Sequence, residues 1–476
     1  MFASIPSSLV ANSASRNYSV LAPPAYNLKH IIANLPQYAD AVKRREVANH
    51  PDLSASSLQK LPIHYENYMF YTEHKKLLVE LRNRLQDLYK RHGKSPALKQ
   101  FLEDHPDIIS LKDIKTQLKQ VEDKLNSQKV PLFKVCSALP NLIDESALDS
   151  EFQVVEYINY PEQQSNAKTI DEKASFLEQA LTQQDKFDHK TIVEKFGIVD
   201  FSTASKISGN SWYYLINDGA LLEQALVQYA LKEARKAGFT MCIPPSIVKD
   251  EISNACGFQP RDLNNEKQTY ELSESNLVLT GTAEIPLAGL SMNKLFQYKE
   301  LPQRLVGVSR SYRAEAGARG KDTKGLYRVH EFTKVELFTT CAGQGSKEEF
   351  SKIVEFQKSL IGKLGLLARV INIPANDLGA PAYQKYDIEA WMPGRGSWGE
   401  LTSTSICTDF QSRRFHTKYV DQQNKRQFAH TLNGTAMAVP RVIVAIIENN
   451  YDPENDCIWV PEVLRPYMDD KEMISL

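Results

Sequence analysis

Near the N-terminal end the apolar residues recur every three to four positions. Tyr71, Leu78, Leu81, Leu85 and Leu88 follow a seven-residue repeat interrupted by His74, and the spacing resumes at Leu111, Ile114, Leu118, Val121 and Leu125. Between the two runs stand Gly93-Lys94-Ser95-Pro96 and His105-Pro106-Asp107. A narrow seam on each of two helices joined by turn residues predicts an antiparallel helical hairpin, each helix about 30 Å long at about 1.5 Å per residue. A shorter helical stretch, 28–47, precedes it. From Asp218 onward Leu222, Ala225, Leu226, Tyr229, Ala230 and Ala237 mark one helix face that ends at Gly238, and the strand 239–243 runs into Pro244-Pro245. Short strands then alternate with Gly- and Pro-containing loops at 277–279, 304–312, 327–338, 386–391 and 426–432, before a long apolar helix at 436–448. Strands without regular crossover helices predict an α+β fold: an antiparallel sheet flanked by helices, with the helical hairpin as an N-terminal arm.

At 476 residues the chain exceeds one compact core, so it divides. The expected units are a leader at 1–25, an arm at 26–130, a linker at 131–185 and a second domain at 186–476. Six cysteines stand apart with no Cys-x-x-Cys pair, so no zinc site is expected, and no apolar run approaches the roughly 20 residues of a membrane span. The leader is rich in Ser and Ala, carries Arg16 and has no acidic residue before Asp40. That composition predicts a mitochondrial transit peptide and a matrix protein. Arg16-Asn17-Tyr18 before Ser19 also resembles a processing site. An ordinary N-terminus, and a cytoplasmic protein, is the alternative. A net charge of -1 leaves a polyanionic partner open, because local patches decide it. One such patch, Arg82, Arg84, Lys90, Arg91, Lys94 and Lys99, lies toward the arm's tip and suits either RNA or plain solvent.

Candidate chemistry gathers in 309–338. Period two puts Arg328, His330, Phe332, Lys334 and Glu336 on one strand face, after a polar loop 316–325 that contains Arg319 and Lys321. This reads either as a solvated hairpin or as a site whose loop closes over phosphate. Thr282 and Glu284 offer a hydroxyl and a carboxylate to an ammonium group, or form a turn. Glu400 with Ser403 offers hard oxygens suited to Mg²⁺, or forms a polar strand. Asn433-Gly434-Thr435 is expected to open the last helix, with Arg441 in its first turn, where it can pair with phosphate or stack on a base.

Taken in order, these segments resemble the three motifs of class II aminoacyl-tRNA synthetases, and among them the seryl-tRNA synthetases. The resemblance rests on Thr282-Ala283-Glu284-Ile285-Pro286-Leu287, Glu315-Ala316-Gly317-Ala318, Lys334-Val335-Glu336, Tyr386-Asp387-Ile388-Glu389-Ala390-Trp391-Met392-Pro393 and Thr408-Asp409-Phe410-Gln411-Ser412-Arg413-Arg414. It extends from about Tyr26 to the end, and the helical hairpin is similar to that family's tRNA-binding arm. It implies a serine–tRNA ligase that forms seryl-adenylate from serine and ATP and passes the seryl group to tRNA(Ser), working as a homodimer through the region 221–245. It implies that Arg313, Glu400 and Arg441 serve catalysis. Arg313 then bridges the serine carboxylate and the α-phosphate, Glu315 meets the adenine edge, Phe332 and Arg441 sandwich the base, and Arg328 holds the γ-phosphate. Glu400 and Ser403 hold Mg²⁺. Thr282, Glu284, Arg313, Glu336, Asn433 and Thr435 form the serine pocket. Arg82, Arg84, Lys90, Arg91 and Lys94 on the arm, with Arg319 and Lys321 in the loop, meet tRNA.

The sequence departs from the family pattern in three places. Ile406 stands where the pattern has asparagine, which puts a polar group beside the Mg²⁺ ligands in doubt, and Ala436 and Pro440 replace small glycines. The arm helices also read as short, which implies relaxed contact with the long variable arm of tRNA(Ser). The alternative from another class is a synthetase-like RNA-binding or assembly factor with impaired catalysis.

Overall fold

Hydroxyl caps start both long N-terminal helices. In this computed structural model, which describes residues 19–93, 95, 96, 100, 104, 110–165, 167–182, 187–258, 268–315 and 325–476, α1 (Leu28–Ala33) and α2 (Leu35–Arg44) precede α3 (Ala55–His92) and α4 (Leu111–Ala138). Ser54 Oγ accepts from the Ser57 N–H and Ser110 Oγ from the Asp113 N–H, each at 3.2 Å, supplying partners that a helix start lacks. Cross-contacts run in opposite order, His64 with Gln128 and Lys75 with Glu122, both at 2.9 Å, so α3 and α4 are antiparallel. Leu78, Ile114 and Val121 are buried in the seam, whereas Leu81 and Leu88 are exposed toward the tip.

The helices are longer than the seam predicts. With 38 and 28 residues they span about 57 and about 42 Å. Beyond the seam both run into a root where Leu58, Leu61, Leu132 and Val135 pack with Ile31 and Val42 of α1 and α2. Pro62 and Pro131 lie inside the helices. Proline there costs about 3 kcal/mol. Complete burial of the adjacent Leu61 and Leu132, at roughly 1.5–3 kcal/mol each, offsets it.

The stretch expected as a linker is therefore in part helix, and it also supplies a strand. The central sheet has eight strands: β1 (Gln153–Ile158), β2 (Thr240–Cys242), β3 (Gln303–Tyr312), β4 (Glu331–Cys341), β5 (Ala368–Asn372), β6 (Gln384–Met392), β7 (Ser397–Thr408) and β8 (His430–Ala438). Their order is β1-β5-β6-β7-β8-β4-β3-β2, antiparallel except for β2 beside β3. Gln153-Val154-Val155-Glu156-Tyr157 reads in the sequence as a short extended piece within the linker, and the structure makes it an edge strand of the sheet, which buries only part of one face.

Two further boundaries differ from expectation. Residues 327–330 are irregular, and the strand begins at Glu331. Asn433-Gly434-Thr435 lies within β8 and does not open a helix, which begins only at Val439 with Pro440 in its first turn. Ala436 and Met437 are good helix formers, yet full burial in the sheet overrides that preference. Behind the sheet, helices Asp218–Lys236, Ser346–Lys363 and Val439–Asn450 bury Leu222, Leu226, Ile353, Leu360, Ile443 and Ile447 against Val335, Leu337 and Leu432.

Candidate active site

The face of the sheet away from those helices is the floor of a cavity of about 560 Å³. Alternation along the strands aims one aromatic ring and a set of polar residues at it: Phe332, Lys334 and Glu336 from β4, Lys385 from β6, Glu400, Ser403, Ser405 and Cys407 from β7, Asn433 and Thr435 from β8. Glu336 and Thr435 are directly paired in register, and Ser403 Oγ lies 3.3 Å from Thr435 Oγ1. Every residue expected to hold ATP or serine lines this one cavity: Thr282, Glu284, Arg313, Glu315, Arg328, Phe332, Glu336, Glu400, Ser403, Asn433, Thr435 and Arg441.

Charges are interleaved at one end. Lys334 Nζ lies 2.6 Å from Glu336 Oε2 and donates to Thr282 Oγ1 at 3.4 Å. Burial pushes the Glu336 carboxyl up to about 7, against the pull of Lys334, and nearby Glu284 adds to the rise. Glu284 is also raised by burial, although its Oε1 accepts from Gln411 Nε2 at 2.7 Å and from Asn433 Nδ2 at 2.6 Å. The Asn433 amide is thus committed to orienting Glu284.

At the other end Arg441 Nη1 donates to Glu400 Oε2 at 3.1 Å and its Nε to the Tyr327 carbonyl at 3.2 Å. Burial alone would raise the Glu400 carboxyl, but Lys385, then Arg441, Arg313 and Lys334 hold it down at about 2. Glu400 is therefore an anion at any working pH. Together with the Ser403 hydroxyl it forms a hard-oxygen pair of the kind Mg²⁺ takes. Arg313 Nε donates to the Gly281 carbonyl at 3.3 Å, and burial followed by repulsion from Arg441 lowers its pKa.

Phe332 and Arg441, expected to lie on either side of a base, each have another partner in the structure. The Arg313 guanidinium lies 5.2 Å from the Phe332 ring centre, and Arg441 lies 4.7 Å from the Tyr327 ring, which Arg395 approaches at 3.7 Å. Pairing with Glu400 draws Arg441 to that end. Glu315 and Arg328, expected to meet opposite ends of ATP, form an ion pair with each other.

A family model described as tRNA synthetase class II core domain (G, H, P, S and T) matches residues 268–450. The mitochondrial serine–tRNA ligase of Saccharomyces cerevisiae is 46% identical over 469 residues, covering 97% of this chain and 98% of the relative. The chain belongs to the seryl-tRNA synthetase family. It is a class II aminoacyl-tRNA ligase, a serine–tRNA ligase. The mitochondrial serine–tRNA ligase of Schizosaccharomyces pombe is 48% identical over 278 residues, 57% of each chain. The crystal structure of Pyrococcus horikoshii seryl-tRNA synthetase complexed with ATP superposes with a TM-score of 0.80 at 30% identity, covering 94% of this chain and 99% of that one.

For this seryl-tRNA synthetase one departure from the family pattern loses its significance. Ile406 does not face the cavity; it is buried in the core behind the sheet, while its neighbours Ser405 and Cys407 line the site. The period of two that points Ser403 and Ser405 inward points Ile406 away.

Sequence reasoning missed Lys385 and gave Asp387 no role. Lys385 Nζ donates to Asp387 Oδ2 at 2.7 Å, and it is the strongest of the cations holding Glu400 ionised. Reading 384–392 with period two would have put Lys385, Asp387 and Glu389 on one face. Of the tRNA candidates, Arg82, Arg84, Lys90 and Arg91 lie on the last turns of α3, with Arg84, Lys90 and Arg91 exposed. Lys94, Arg319 and Lys321 lie outside the described residues.

Proposed function

We propose that the cavity joins serine to ATP, releasing pyrophosphate, and that the seryl group of the resulting adenylate passes to the terminal ribose of tRNA(Ser). The observation that carries this reading is the buried Glu336–Lys334–Thr282 cluster, with Thr435 opposite Glu336, in the same cavity as Arg313, Glu400 and Arg441. Glu336 and Thr282 receive the serine ammonium, and Glu336 with Thr435 receives the hydroxyl. Alanine leaves those buried groups unpaired, which is the strong form of rejection. Arg313 neutralises charge that builds on the α-phosphate as the serine carboxylate oxygen attacks phosphorus and pyrophosphate leaves. The attacking carboxylate is already ionised, so no general base is needed. Glu315 and Arg328 separate to take the adenine edge and the γ-phosphate, and Arg441 moves from Tyr327 to cover a base lying on Phe332. Glu400 and Ser403 hold Mg²⁺, which supplies positive charge to the phosphates when bound.

The arm reads tRNA through Arg82, Arg84, Lys90, Arg91 and Lys94, and the loop through Arg319 and Lys321. Helices of 38 and 28 residues support a full arm and not a shortened one. Homodimer formation through 221–245 has support from the edge strand β2, where Met241 is 50% exposed, and from Ile243 just past it, which is 84% exposed. Among the described residues no helix is long and apolar enough to cross a membrane. The Ser- and Ala-rich leader and the mitochondrial relatives support a matrix enzyme.

A factor that only bound RNA would have no use for a carboxylate held ionised by four cations that line or flank one cavity. ATP–pyrophosphate exchange across all amino acids tests the proposal. Exchange with threonine or alanine but not serine would sink the specificity, and absent exchange with intact RNA binding would favour the binding factor.

A further inference from the structure

Arg45, the residue that closes α2, is 1% exposed. Its guanidinium crosses from the arm's root to the catalytic body. Nη1 donates to the carbonyls of Leu378 (3.1 Å) and Gly379 (2.8 Å), and Nη2 to that of Ala382 at 2.7 Å. Nη2 also reaches the carbonyls of Asn141 and Leu142 at 3.2 and 3.4 Å. Asn141, just past α4, takes the carbonyls that Arg45 leaves: its N–H donates to Ala380 O at 2.8 Å and its Nδ2 to Pro381 O at 2.9 Å. The same Nδ2 meets Cys407 O at 2.9 Å, at the end of β7.

Two residues, Arg45 through its guanidinium and Asn141 through its amide and its main-chain N–H, thus account for every carbonyl from Leu378 to Ala382, a stretch with no strand or helix ladder of its own. The other side of that stretch is active-site wall: Gly379, Ala380, Pro381 and Ala382 line the cavity beside Cys256, Phe258 and Cys407. Irregular backbone keeps one shape when its polar groups are held from outside, and a guanidinium's fixed fork of donors holds several carbonyls in one geometry.

We propose that Arg45, seconded by Asn141, is a positioning residue: it shapes the 378–382 wall of the substrate cavity and makes that shape depend on the seating of the tRNA-binding arm. This rests on the cavity being the site of serine activation. Arg45 touches no substrate, so its effect on chemistry is indirect. Seating of the arm by tRNA then tightens the wall, and loss of the clamp loosens it.

The test uses the full-length protein. Arg45→Met is expected to raise KM for serine in ATP–pyrophosphate exchange about tenfold or more, with kcat changed less than threefold, and added tRNA(Ser) lowers the raised KM. Arg45→Lys, with a single ammonium for the same carbonyls, falls between. Leu61→Ala is the control, since Leu61 is buried in the arm's root and is not among the residues lining the cavity. At a similar fall in Tm it leaves KM for serine near wild type. An unchanged KM in Arg45→Met, or an equal rise in Leu61→Ala, overturns the proposal. If Arg45→Met does not fold, Asn141→Ala decides by the same KM and Tm readouts. Exchange activity with an amino acid other than serine in the wild type would instead overturn the reading of the cavity itself.

Discussion

Lys334 Nζ lies 2.6 Å from Glu336 Oε2, and both side chains are buried on the floor of the cavity. The pair sets a pH dependence on serine binding. Burial holds the Glu336 carboxyl at about 7, so below that pH it carries a proton that an incoming ammonium must displace, and above it the carboxylate is ready. KM for serine in pyrophosphate exchange should fall as pH rises from about 6 to about 7.5 and then level off. Glu336→Gln flattens that profile and raises KM by roughly 10- to 100-fold, the loss of a charged hydrogen bond worth about 1.5–3 kcal/mol. Lys334→Met removes the strongest opposing pull and shifts the profile to higher pH. A flat wild-type profile refutes the assignment.

Glu400 behaves in the opposite way. Held at about 2 by Lys385, Arg441, Arg313 and Lys334 against burial, it stays ionised across the working range and adds no pH dependence. Glu400→Gln removes a negative charge from among those cations and a hard ligand from the Mg²⁺ pair. Exchange kcat should drop by about 10²–10³, the scale of a lost transition-state contact of about 2.7–4 kcal/mol, with a rise in the Mg²⁺ concentration needed for half activity. Loss confined to KM for serine would show that Glu400 belongs to the amino-acid pocket.

The parts of this site that were legible in the sequence were those in which chemistry and period coincide. Phe332, Lys334 and Glu336 alternate along a strand and do share a face toward the cavity. Thr435 is legible as a site residue but its strand is not: an Asn-Gly-Thr followed by Ala and Met carries turn and helix preferences, and only full burial between β7 and β4 makes it extended. The burial of Ile406 behind the sheet is not legible in a motif, which gives position but not facing. Arg45 gave no local signal. Its partners are carbonyls more than 90 residues away, and backbone acceptors leave no trace in side-chain pattern.

The arm's basic residues should act on RNA alone. Arg82, Arg84, Lys90 and Arg91 sit at the far end of α3 from the root cluster. Changing all four to Ala should leave exchange within about twofold while aminoacylation of tRNA(Ser) loses kcat/KM, mainly through KM. Each lost phosphate contact lowers the salt dependence of tRNA binding by roughly one unit of slope. Binding measured across a salt series checks this, and an unchanged slope would mean these side chains face only solvent.

Gly325 has φ +73°, and a Cβ built on it would stand 2.1 Å from His189 Nε2. That nitrogen accepts from the Leu326 N–H at 3.2 Å, while Nδ1 lies 2.7 Å from Glu448 Oε1. The imidazole thus ties the buried Glu448 to the chain just where it enters the cavity as Leu326, Tyr327 and Arg328. Gly325→Ala meets both a left-handed backbone and a collision, and a strained residue of this kind costs about 1–3 kcal/mol. Tm should fall by several degrees and KM for ATP should rise, because Tyr327 and Arg328 shift together. His189→Ala alone also destabilises, by leaving the Leu326 N–H without its acceptor and taking one of its hydrogen bonds from Glu448, which keeps the main-chain N–H groups of residue 189 and Arg395. The two losses should not add: with the ring gone the new methyl has room, so the double variant should be more stable than the sum of the singles implies. Full additivity in a double-mutant cycle would mean that the backbone conformation, and not the contact with His189, accounts for the cost.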